Sequence, residues 1–120
     1  MWRLAFTLAL TLATTGTGCG PTIVVLTEKP QLHYEEQVKI VGRVSRKEAL
    51  GDDVLIELAD SDERRILARI TGKDAPPLEQ WVQVKGVFTA ELRVGDRIVY
   101  DAIAVERWKT HRAPWFPNLL

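Results

Sequence analysis

Five short segments of alternating apolar and polar residues, an interior glycine in two of them, and a glycine- and proline-bearing break between the third and fourth predict an all-β chain. The expected architecture is a five-stranded Greek-key barrel preceded by a signal peptide. Alternation with period two puts one face of a strand in a core and the other in solvent. A glycine inside such a segment marks a bulge, a bend or a close backbone approach, and small barrels need such bends to close. With 120 residues, 46% hydrophobic and 27% charged, the composition is that of one ordinary globular domain.

Residues 1–19 read as an address. Arg3 supplies one positive charge, and residues 4–13 form an apolar run too short to span a bilayer comfortably. A small-residue stretch follows, ending at Cys19, the chain's one cysteine. A single cysteine in an exported protein has no intramolecular disulfide partner. Thr17-Gly18-Cys19 resembles the lipobox of bacterial lipoproteins, in which the cysteine is lipidated and becomes the new N-terminus; Gly16 stands where a large aliphatic residue is usual. The expectation is a lipid anchor on Cys19, and the alternative is a cleaved signal that releases a soluble periplasmic protein. Residues 20–36 are then a tether or an extra edge strand. The β-branched run Ile23-Val24-Val25-Leu26 favours the strand, with Pro30 ending it.

Residues 37–107 carry the barrel. The first strand, residues 37–45, alternates Val38, Ile40, Gly42 and Val44 with Lys39, Val41 and Arg43. Residues 46–53, charged and holding Gly51-Asp52-Asp53, read as a hairpin connection. The second strand sets Val54, Ile56 and Leu58 against Leu55, Glu57 and Ala59. After the polar turn Asp60-Ser61-Asp62-Glu63, the third sets Ile66, Ala68 and Ile70 inward and Arg65, Leu67 and Arg69 outward. Gly72, Pro76 and Pro77 break the sheet and leave room for one helical turn at most. The fourth strand, from Trp81 to about Ala90, buries Val82, Val84 and Phe88 and is interrupted by Gly86. Val94-Gly95-Asp96 reads as a hairpin turn into a last strand, residues 97–106. There Ile98, Tyr100, Ala102 and Ala104 compete with Val99, Ile103 and Val105 for the interior; a bulge near Asp101-Ala102 would admit both sets.

Three strands, a non-strand crossing and two more strands is the order of the OB-fold. Residues 37–107 resemble bacterial OB-fold domains, with Val38-Lys39-Ile40-Val41-Gly42-Arg43-Val44 similar to a first strand and the segment from Leu78 to Gly86 similar to the entry of a fourth. From Asp74 to Pro117 the chain is also similar to the C-terminal half of an uncharacterised family of bacterial membrane-associated proteins. That family usually has paired cysteines before the crossing, where this chain has Thr71-Gly72. Both resemblances imply a fold rather than an activity.

Sixteen Lys and Arg balance sixteen Asp and Glu, and removing Arg3 with the leader leaves the rest very slightly acidic. A nucleic-acid binder usually carries a positive field, and the second and third strands present no aromatic platform. Arg43, Arg65 and Arg69 read as solvated strand charges paired with Glu57 and Asp60, and no nucleic acid is expected as a partner. Two histidines, His33 and His111, are too few for a protein-only transition-metal site. The stretch from His111 to Trp115 resembles, loosely, the tail of the haem chaperone of cytochrome c maturation, which implies His111 as a haem ligand; tryptophan stands there where that tail has tyrosine. No catalytic set appears at an interpretable spacing, and the acidic turns lack the ligand order of a calcium loop.

The tail, residues 108–120, gathers Trp108, Trp115, Phe116 and prolines among Lys109, His111 and Arg112. It either plugs the barrel or docks to a partner or membrane interface, with His111, Trp115 and Phe116 as the candidate ligand or partner surface. The expected function is a non-enzymatic lipoprotein of the cell envelope, without cofactor, that serves as a binding or scaffolding module. Its partners are the membrane, through the anchor, and an envelope protein. The runner-up is a soluble periplasmic carrier of a small ligand such as haem, and oligonucleotide binding ranks last.

Overall fold

The computed structural model describes residues 22–72 and 74–113; Cys19, Trp115 and Phe116 lie outside the described residues. Five strands dominate: β1 (Gln37–Leu50), β2 (Asp53–Ala59), β3 (Arg65–Thr71), β4 (Trp81–Val94) and β5 (Arg97–Thr110). They close into a ring in the order β1-β2-β3-β5-β4, with β4 bonded back to β1. Every pairing is antiparallel except a short parallel one, Leu67 to Arg69 of β3 beside Ala102 to Ala104 of β5. The chain is all-β, as the alternation predicts.

The inward faces are those the period-two pattern marks. Val38, Ile40, Val44, Ile56, Leu58, Ile66, Ala68, Ile70, Val82, Val84, Phe88 and Ile103 form one core inside the ring, with Phe88 the largest of its fully buried side chains. Gly86 marks a bulge with a close backbone approach, two of the three features its position allows. The register between β4 and β5 shifts between Lys85 and Gly86, leaving Glu106 as the extra residue of β5. A Cβ on Gly86 would collide with the carbonyl oxygen of Ala104 and stand 2.8 Å from the Cα of Val105. The bulge expected near Asp101-Ala102 is therefore at Glu106. Asp101 does take the left-handed conformation (φ 53°), but the ladder on either side of it keeps one register.

Three boundaries differ from the expectation. β1 runs on through residues 46–50, past a bulge between Val44 and Arg46, and turns only at Gly51-Asp52. β4 continues to Val94, and β5 takes in Trp108, Lys109 and Thr110, which were expected in the tail. Charged extensions of a two-stranded ribbon gain backbone hydrogen bonds whatever their side chains are, so they show no apolar alternation to read.

The run expected as an edge strand is a helix, α1 (Ile23–Glu28). Ile23 and Leu26 are three apart, so one short helical face carries both into the main core, and the Thr27 hydroxyl donates to the Ile23 carbonyl at 3.0 Å. That burial outweighs the strand preference of the β-branched residues. A 3-10 turn (Pro30–Leu32) follows, and the chain then joins the ring ahead of β1. The Glu35 N–H donates to the Phe88 carbonyl at 2.7 Å, and the Phe88 N–H donates to the Glu36 carbonyl at 3.0 Å. Tyr34 stacks on Phe88 with ring centroids 5.6 Å apart. Its hydroxyl donates to Asp101 Oδ1 at 2.5 Å, which raises the Tyr34 pKa above its ordinary value, with burial and the Asp101 charge adding to the effect.

Candidate binding surfaces

β4 and β5 extend past the ring as a two-stranded ribbon, in which Leu92 faces Val99 across the ladder. This ribbon folds over the outer face of β2 and β3. Leu92, Val94 and Val99 join Leu55 and Ala102 in a second, smaller core, against which Leu50, Leu67 and Ala104 are half-buried. Leu55 and Leu67 are the large apolar members of the outward sets on β2 and β3, so the ribbon covers what the ring alone would leave in water.

Two clasps hold the ribbon tip on the β1–β2 turn. Arg97 grips Glu48 through both guanidinium nitrogens, Nη1 at 3.1 Å from Oε1 and Nη2 at 3.0 Å from Oε2. This bidentate contact holds the Glu48 carboxyl below its ordinary value and raises the Arg97 guanidinium in return. The Gly95 N–H donates to Asp53 Oδ2 at 2.9 Å. Gly95 also sits so close that a Cβ there would be 2.6 Å from the Leu50 carbonyl oxygen. Arg69 donates to the Arg93 carbonyl at 3.0 Å, tying β3 to the same ribbon.

Between the ribbon and the β1–β2 hairpin a cleft of about 380 Å³ stays open, with Leu55, Leu67 and Val99 along its floor and Arg46, Glu48 and Arg97 on its walls. Its size and its mixture of apolar floor with a few polar groups are those of small-ligand and side-chain pockets.

A second surface lies on the outer face of β1, β4 and β5. Lys39 is the cross-strand partner of Lys85, and Lys85 is the partner of Arg107. Lys109 lies in the next row, opposite Gln83. These side chains and the edge of Trp108 line a shallow depression of about 260 Å³. Trp108 itself packs against the main core and donates from Nε1 to the Asp74 carbonyl at 2.6 Å. A neutral total charge thus conceals an uneven distribution. The acids gather elsewhere: Glu63 and Glu79 pair with Arg43, Glu57 and Glu63 with Arg65, and Asp62 with Arg64. Arg43 and Arg65 are therefore paired as expected, though with Glu63 and Glu79 beside Glu57, while Asp60 accepts the Asp62 and Arg64 backbone N–H groups instead.

His111 is exposed just beyond β5; its backbone N–H bonds the Trp81 carbonyl at 2.9 Å and its ring Nδ1 lies 2.8 Å from the Arg112 carbonyl. His33 lies with Glu36 beside Phe88, midway along β4, its Nδ1 2.9 Å from Glu36 Oε1. Seven residue steps along the strand, roughly 24 Å at a strand's rise, separate Trp81 from Phe88, so the fold does not bring the two histidines together. Among the described residues no three of His, Cys, Asp and Glu gather as a metal site, and no helix is long and apolar enough to cross a membrane.

Both surfaces escaped the reading of the sequence. For the cleft the available signal was Leu92, Val94 and Val99, an apolar set flanking a turn that needed none. For the basic face it was Lys39 and Lys85, both on outward positions, whose adjacency depends on a register that the sequence does not state. No protein-family model matches the chain, and no curated protein matches it in sequence.

Proposed function

We propose that the chain is a non-enzymatic binding module of the cell envelope, an OB-fold barrel tethered through a lipid on Cys19, with the cleft beneath the β4–β5 ribbon as its binding place. One observation supports this most: the cleft lies on the outer face of β2 and β3, between the two hairpin turns, and combines a floor of Leu55, Leu67 and Val99 with charged walls of both signs, Arg46, the Arg97–Glu48 pair and Glu57. In OB-folds that strand face and those two loops form the binding surface. The five-strand ring and its strand order are consistent with that fold, and the leader is consistent with export. The chemistry that fits is a small apolar group with one polar or anionic end, such as an apolar side chain of a partner beside a carboxylate that Arg46 meets.

Two measurements test the reading. The first is the intact mass and membrane fractionation of the native protein beside a Cys19→Ser variant; a diacylglyceryl-cysteine N-terminus and a variant that is released or unprocessed are expected. A mature N-terminus elsewhere with a soluble native protein would sink the tether. The second is titration with anilinonaphthalene sulfonate, an apolar anion of suitable size. Fluorescence enhancement in the native protein that disappears in Leu67→Glu is expected, and unchanged enhancement in that variant would remove the cleft.

A further inference from the structure

The row Lys39–Lys85–Arg107, with Lys109 beside it, is an arrangement that the folded chain alone disfavours. Directly opposed like charges in a sheet destabilise it, and this row sets three cations side by side on three adjacent strands. Strands about 4.8 Å apart spread them over roughly 10 Å. Among the described residues none of the four pairs with a carboxylate, whereas Arg43, Arg64, Arg65 and Arg97 all do. The nearest acid in sequence, Glu106, is engaged by the Gln37 amide at 2.9 Å. Lys39, Arg107 and Lys109 are exposed and Lys85 is half-buried.

We infer that this face rests on the anionic phospholipid headgroups of the membrane that holds the protein. The inference builds on the tether proposed above and names what the tethered domain touches. Charge complementarity supplies the attraction: a flat sheet face bearing unpaired cations suits an extended layer of phosphates, each Lys or Arg near such a layer contributing about a five-fold gain in affinity. The length of chain before the domain confines it there. Thr22 precedes α1, whose Ile23 and Leu26 are buried in the core, so three residues join Cys19 to the packed structure. Fully extended they reach about 11 Å, close to a Debye length at physiological salt. A domain held so near an anionic surface gains by turning this cationic row toward it. A single strand of nucleic acid fits less well, because the face offers no stacking platform beyond the edge of Trp108.

The test uses the full chain with Cys19→Ser, which no acyl chain can anchor, and vesicles of phosphatidylcholine alone or mixed with phosphatidylglycerol. The readout is the ratio of affinities for the two vesicle types, with and without Lys85→Gln and Arg107→Gln together. The leader is common to both proteins and cancels in the comparison. The expected result is preference for the phosphatidylglycerol vesicles, weakened by salt and cut about thirty-fold by the double substitution. The melting temperature should stay level or rise, since like charges have been removed. Equal affinity for both vesicle types, or a preference that survives the double substitution, would overturn the inference, as would suppression by millimolar inorganic phosphate or tighter binding to an oligonucleotide or an acidic protein. The tether fails separately: an unlipidated native protein whose Ser variant still prefers phosphatidylglycerol through this row would keep the headgroup surface and discard the anchor.

Discussion

Gly51 and Gly95 offer a controlled measurement of the contact between the two hairpins. Both have left-handed backbones, φ 67° and 62°, so replacing either by alanine incurs the same conformational cost of about 1–2 kcal/mol. Their surroundings differ. A Cβ on Gly51 would meet only the Gly95 Cα at 3.9 Å, an ordinary van der Waals distance. A Cβ on Gly95 would stand 2.6 Å from the Leu50 carbonyl oxygen and 2.9 Å from its Cβ. Backbone cannot swing aside as a flexible side chain can, so Gly95→Ala must also push the ribbon off the β1–β2 turn. Overpacking of this kind adds about 1–3 kcal/mol, for a total of about 2–5 kcal/mol against 1–2 for Gly51→Ala. Urea unfolding of the full chain, followed by tryptophan fluorescence, gives both values. Hydrogen exchange locates the difference: amides of Leu92, Val94 and Val99 should lose protection in Gly95→Ala and keep it in Gly51→Ala, while those of Val84 and Phe88 stay protected in both. Equal losses of stability with equal exchange patterns would refute the clasped arrangement, and with it the cleft.

The remaining predictions concern the core, the clasp and the end of β5. Phe88→Ala should cost about 3–5 kcal/mol, because this ring is fully buried and also supports Tyr34; a loss under about 1 kcal/mol in urea unfolding would contradict the packing. Glu48 has a folded pKa below its ordinary 4.5, so the stability it contributes is present above that value and is lost as pH falls through the lower, folded one. The stability gap between the native chain and Glu48→Gln should accordingly be constant near neutrality and close below about pH 4.5 in acid titrations of unfolding; a gap that persists in acid would show that Arg97 is not its partner. Trp108→Phe keeps the ring against the core but removes the bond to the Asp74 carbonyl, for a loss of about 0.5–1.5 kcal/mol. Its signature should be faster exchange or proteolysis in the 72–80 crossing, and an unaltered crossing would show that the tryptophan does not fasten it.

Local alternation was enough to determine the all-β class, the five strands and the inward faces of the first four. Val38, Ile40, Ile56, Leu58, Ile66, Ile70, Val82, Val84 and Phe88 turn inward because a pleated strand presents every second residue to one side, and that rule requires no partner. Gly86 announced a close approach for the same reason, since only a missing Cβ explains a glycine in an otherwise β-branched run. The sequence was silent, or misleading, wherever a partner decides the outcome. Ile23 to Leu26 has the composition of a strand, yet two residues three apart found a core that only the closed ring provides. The lengths of β1, β4 and β5 depended on backbone pairing, to which charged side chains are indifferent. The cleft exists because one hairpin folds back over another, and the basic row exists because a register set by the Glu106 bulge aligns Lys85 with Arg107. Composition counts charges and alternation sorts them to a face; which charges become neighbours across strands is settled by register, a property of the assembled sheet.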